Sequence, residues 1–148
     1  MSKQLERLAD FEREKEQKEA QLFQQAQLNV NQQKQKLSSL EQYRVDYIKD
    51  IQQTGQSGVT ATHYQQHLSF VGKLDKACEQ QMHIIARAKM AADQRKQLWL
   101  KQQQKVKAVE LLLSKKEAVK LAKEARAEQA MMDEFASQRF FRAQKRPF

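Results

Sequence analysis

YQQHLSFVGKLDKACEQQMHIIARAKMAADQRKQLWLKQQQKVKAVELLL, residues 64–113, is ordered by one column of side chains. Every seventh residue is apolar: Tyr64, Val71, Cys78, Ile85, Ala92, Trp99, Val106 and Leu113. An apolar repeat of seven on a helix makes a seam that needs a second helix against it. The companion column is mixed, with His67, Leu74, Gln81, Ala88, Arg95, Gln102, Val109 and Lys116. One solid column beside a frayed one predicts a modest coiled coil rather than a tight zipper.

Upstream, Ser2 to Gln53 holds neither Gly nor Pro. It carries its own two columns: Leu5, Glu12, Glu19, Ala26, Gln33, Leu40 and Tyr47, then Ala9, Glu16, Phe23, Val30, Leu37, Arg44 and Ile51. Apolar residues fail mainly at Glu12, Glu16 and Glu19, where a solvated face paired with Lys15 and Lys18 is the simpler expectation. Between the two patterned stretches stands Thr54-Gly55-Gln56-Ser57-Gly58. Gly55 is suited to end a helix in the left-handed conformation, and Thr60 or Thr62 to cap the next. Short connections favour antiparallel neighbours.

The chain is therefore expected to be all-α: one antiparallel coiled-coil hairpin over 1–148, with helix one about 3–53, turn 54–60 and helix two about 61–141. By reflection about the turn, residues beyond about 112 lack a partner in the first arm.

Composition agrees. The chain has 148 residues, 30% charged, with three Gly and one Pro. Helix formers dominate, so burial must come from one helix lying along another. Cys78 is the only cysteine and has no internal disulfide partner, which points to a reducing compartment. There is no apolar run of the roughly 18 residues that a membrane span needs, and no signal peptide. Charge is uneven: residues 1–53 balance, so the net +9 lies beyond them. A basic second arm suits an acidic protein, a membrane surface or nucleic acid. The last is disfavoured by the lack of interleaved aromatics or a recognised module.

Enzymatic constellations are missing from the sequence. It has no phosphate-binding glycine loop, nucleophile elbow or paired CxxC. His63 and His67 stand four residues apart without a third ligand, so no metal and no cofactor is expected. Two stretches exceed the needs of a plain hairpin. Phe70, Leu74, Ala77 and Gln81 form a line set one residue off the solid column. Met131-Met132-Asp133-Glu134-Phe135-Ala136, followed by Arg139, Phe140, Phe141, Arg142, Lys145 and Arg146, puts apolar side chains on an arm with no partner helix.

With Tyr43-Arg44 and Tyr47 before the turn, with Tyr64, Phe70, Leu74 and Cys78 after it, and with Trp99 and Met132-Asp133-Glu134-Phe135-Ala136, the chain resembles the FliJ family of flagellar export proteins. His67 stands where the family commonly has an aromatic. The resemblance implies a non-catalytic stalk that links the hexameric flagellar export ATPase to the membrane export gate and binds export chaperones. It also implies a cytoplasmic protein peripherally associated with the inner-membrane export apparatus. Phe70, Leu74, Ala77 and Gln81 would then meet the gate, and Met131, Met132, Asp133, Glu134 and Phe135 the ATPase ring. Phe70→Ala is expected to leave stability nearly unchanged while weakening gate binding. The equivalent stalk of a virulence secretion system and a basic coiled coil that binds nucleic acid are the alternatives.

Overall fold

The computed structural model describes residues 2–55, 58 and 60–144. The chain is all-α. α1 is Ser2–Gly55 and α2 is Ala61–Gln144, an antiparallel helical hairpin. Of the expected turn, Gln56, Ser57 and Val59 lie outside the described residues, as do Lys145 and Arg146 of the tail.

The glycine roles differ from expectation. Gly55 is the last helical residue, and Gly58, at φ 86°, takes the left-handed conformation. The Gly58 N–H donates to the Gly55 carbonyl at 3.4 Å. A β-carbon is costly at positive φ, so Gly suits position 58. Thr60 caps α2: its hydroxyl accepts the His63 N–H at 3.4 Å and its carbonyl accepts the Tyr64 N–H at 3.1 Å. Side-chain capping at this spacing satisfies donors that the first helical turn leaves unpaired.

Two compact units form along the helices. In the first, Lys15–Gln102, the hairpin core is Val30 with Ala88 and Ala92, and Ala26 packs against it. Cys78 and Ile85 are buried. The frayed column is buried as well, at Leu74, Gln81 and Ala88, while Arg95 faces solvent. Gln81 is only 3% exposed, and its Nε2 donates to the Gln33 carbonyl at 2.9 Å and to Gln33 Oε1 at 2.7 Å. A buried amide is tolerated when both its hydrogens find acceptors. A single buried polar pair in a helical seam also sets register.

Toward the end of this unit away from the turn Phe23 stacks on Trp99, centroids 5.6 Å apart and planes at 24°. The alanine-sized core thus gives way to an aromatic layer. Trp99 Nε1 and Glu19 Oε2 are each buried without a hydrogen-bond partner, and Glu19 itself is half-buried rather than solvated.

The solid column weakens at its start. Tyr64 is 56% exposed, and His67 and Phe70 turn toward α1 instead. The reason is geometric: a relaxed helix drifts about 20° per heptad against a strict seven-residue repeat. A column centred on Ile85 and Ala92 has therefore rotated out of the seam by Tyr64, three heptads before Ile85.

In the other unit, Met1–Glu14 with Gln103–Phe148, Ala9, Val106 and Val109 are buried. Arg13 Nε donates to Glu110 at 3.1 Å, and its Nη1 pairs with Asp10 at 3.3 Å. Lys116 lies in one groove with Gln4, Leu5 and Leu8. Pairing with α1 thus reaches Lys116, beyond the limit near 112 that reflection gave. Side chains on both helices lean toward their own N-termini. In an antiparallel pair, that lean displaces contacts toward higher residue numbers. From Ser114 to Gln144 every residue of α2 is exposed.

Candidate functional site

The candidate surfaces follow from where the packing stops. Near the turn, α1 presents Tyr43 and Arg44 and, one turn on, Tyr47 toward α2. α2 answers with His67, Phe70, Leu74 and Asp75. The Tyr47 hydroxyl and His67 Nδ1 share a hydrogen bond of 2.6 Å, with the rings 5.7 Å apart. Phe70 sits 4.6 Å from the Tyr47 ring and 6.3 Å from Tyr43, the latter edge-on at 72°. Arg44 pairs with Asp75 across the seam.

Phe70 is half-buried, as is Ala77, while Leu74 and Gln81 are buried. The four-residue line therefore lies against α1, with Phe70 and Ala77 at its accessible edge. Phe70 is thus partly exposed, and its contacts with Tyr43 and Tyr47 lead us to expect a measurable loss of stability on truncation, where the sequence pattern alone led to the expectation of almost none. The partners were missed, although Tyr47 and Phe70 stand close to the reflection about the turn. The signal was Tyr43, Tyr47, His67 and Phe70 lying within about three and a half helical turns of the break on its two sides.

His67 spends Nδ1 on Tyr47, which leaves only Nε2 for any ligand. No group of three or more metal-ligating side chains occurs among the described residues. None of their helices is long and apolar enough to cross a membrane.

The second surface is the exposed end of α2. Met131 is 72% exposed, and Met132 and Phe135 are similarly open. Arg139 holds its guanidinium 5.8 Å from the Phe135 ring centroid, a cation–π arrangement that presents apolar area and positive charge together. Asp133 accepts a hydrogen bond from Gln129 Nε2 at 3.0 Å. Met131, Glu134, Phe135 and Gln138 line a shallow groove. The heptad columns miss this arm, because the seam side continues past Leu113 as Lys116, Lys120 and Lys123.

Of the remaining seam residues, Cys78, Ile85, Ala92 and Val106 are buried, and Val71, Trp99 and Leu113 half-buried.

Both candidate sites are open surfaces. The molecule is an antiparallel helical hairpin, with an aromatic cluster beside the turn and an exposed basic and apolar stretch on the longer helix. The sequence matches the family model described as Flagellar FliJ protein over residues 1–145. The chain belongs to that family and is, at that level, a component connected with flagellar protein export. No curated protein and no solved structure matches it.

Proposed function

We propose that this protein is the non-catalytic coupling stalk between the hexameric flagellar export ATPase and the export gate. The observation that carries the reading is that the longer helix continues for about thirty residues with every side chain exposed. Large apolar side chains gathered on a stretch with no partner helix, here Met131, Met132, Phe135, Phe140 and Phe141, signal a docking surface. Met131, Met132, Asp133, Glu134 and Phe135 engage the ATPase ring. Positive charge from Lys120, Lys123, Arg126, Arg139 and Arg142 draws the arm toward an acidic cavity. An arm that binds only the assembled ring favours assembly by mass action.

The turn-proximal segment meets the cytoplasmic part of the gate through Phe70 and Ala77, with Leu74 and Gln81 beneath them holding the segment to α1. Export chaperones are further partners, and attachment to the membrane is peripheral, through the gate. The stalk supplies contact and no chemistry of its own.

The test is direct. Purified protein is titrated into the export ATPase while ATP turnover is followed, and separately into the isolated gate domain while binding is followed. Stimulation of turnover together with gate binding supports the reading. A protein that leaves turnover unchanged at saturation and binds no gate domain is not this stalk.

A further inference from the structure

Beside the stack of Phe23 on Trp99 lie two polar atoms that the hairpin itself does not satisfy. Trp99 Nε1 and Glu19 Oε2 are each covered from solvent and have no hydrogen-bond partner. Both residues belong to the compact unit Lys15–Gln102. Their places in the seam bring them together. Ala26 packs against the core that holds Ala92. One heptad from Ala26 away from the turn is Glu19, and one heptad from Ala92 away from the turn is Trp99. Because the helices run antiparallel, the two steps go the same way along the seam and end at the same level. The ring stack agrees, since Phe23 is one turn from Glu19 on α1 and meets Trp99 at 5.6 Å.

The chemistry of the two atoms is complementary. An indole N–H only donates, and a carboxylate oxygen only accepts. Leaving either buried and unpaired is costly, the carboxylate more so. They are not hydrogen-bonded to each other. A cation between them would suit Glu19 and be repelled by the indole N–H; an anion would suit the indole and be repelled by Glu19. A group that accepts on one side and donates on the other suits both.

We propose that one water molecule is bound between α1 and α2 at this level, accepting from Trp99 Nε1–H and donating to Glu19 Oε2. Buried waters occur where two or more polar groups lack other partners, and a bridging water is nearly as favourable as a direct hydrogen bond. The bridge accounts for a carboxylate at a seam position of α1. It makes Glu19 a positioning residue for Trp99, holding the indole at the level where its ring stacks on Phe23.

Trp99 is the only tryptophan, so the full-length protein labelled with nitrogen-15 gives one indole N–H resonance. The expected result is a nuclear Overhauser effect between that proton and a long-lived water. Glu19→Gln keeps an acceptor oxygen and is expected to keep the effect. Glu19→Leu keeps bulk without an acceptor, and is expected to lose the effect and move the indole proton upfield. Trp99→Phe, which keeps a ring for Phe23 and removes the donor, supplies the second test. Glu19→Leu should change the unfolding constant less favourably in wild type than in Trp99→Phe, by roughly threefold or more. Far-UV circular dichroism confirms that each variant keeps its helices. The proposal is overturned if the wild-type indole shows no effect to water, as a direct bond to Glu19 would give. It is equally overturned if the effect survives Glu19→Leu, or if Glu19→Leu changes the unfolding constant equally in the two backgrounds.

Discussion

Replacing Phe70 by alanine removes a ring that is half-buried against Tyr47 and Tyr43. Truncating a fully buried Phe costs about 3–5 kcal/mol. Half burial scales this to roughly 2 kcal/mol. The aromatic contacts are part of that figure, since a well-placed ring pair is worth about 0.5–1.5 kcal/mol. For a chain of this length, each kcal/mol moves the melting temperature by about 2–4 °C. Thermal unfolding followed by far-UV circular dichroism should therefore show Phe70→Ala melting about 4–8 °C below wild type. Phe70→Leu, which keeps apolar volume and loses ring geometry, should fall between them. A Phe70→Ala shift under about 1 °C would mean that the cluster contributes nothing, and the argument from ring packing would be wrong.

Other substitutions isolate single terms. Gln81→Glu puts a carboxylate against the Gln33 carbonyl and Oε1 and removes both donated hydrogen bonds, so chemical denaturation should show a loss of about 2–4 kcal/mol; Gln81→Leu should cost less than half of that. Gly58→Ala forces a β-carbon onto a residue at φ 86° and should destabilise by about 1–2 kcal/mol, although no atom lies within 4 Å of that carbon. Gly55→Ala, inside the helix with equally open space, should raise the melting temperature, stabilising by about 0.5–1 kcal/mol. Arg44→Ala breaks an exposed ion pair with Asp75, so the same melts should register under about 1 kcal/mol.

The hairpin was legible because so little interrupts it: two glycines near residue 57 in a stretch otherwise free of helix breakers. The register was legible only roughly, since sequence spacing ignores the lean of side chains along each helix. Burial of the mixed column was not legible at all. Gln81 looks like a defect in a heptad until Gln33 is found across from it, supplying both acceptors. Tyr64 failed in the opposite way, as an apolar residue in a perfect column that drift carries out to solvent. The drift that exposes Tyr64 turns Phe70 partly inward, and its partners Tyr43 and Tyr47 were the part not legible. The arm beyond Lys116 escaped the heptad reading because the two columns run on there through Lys116, Lys120 and Lys123. Only its exposed Met and Phe side chains marked it as a surface.

The central claim is that one chain carries two separable contacts, a ring contact on the α2 arm and a gate contact beside the turn. Among the described residues, deleting 127–148 removes only exposed positions and leaves every buried one in place. The decisive measurement is the effect of this truncated protein on export-ATPase turnover, taken beside its affinity for the gate domain and beside Phe70→Ala assayed well below its melting temperature. The account predicts that truncation abolishes stimulation and keeps gate affinity, while Phe70→Ala weakens gate affinity and keeps stimulation. Full stimulation by a folded truncated protein would contradict it and move the ring contact off the arm.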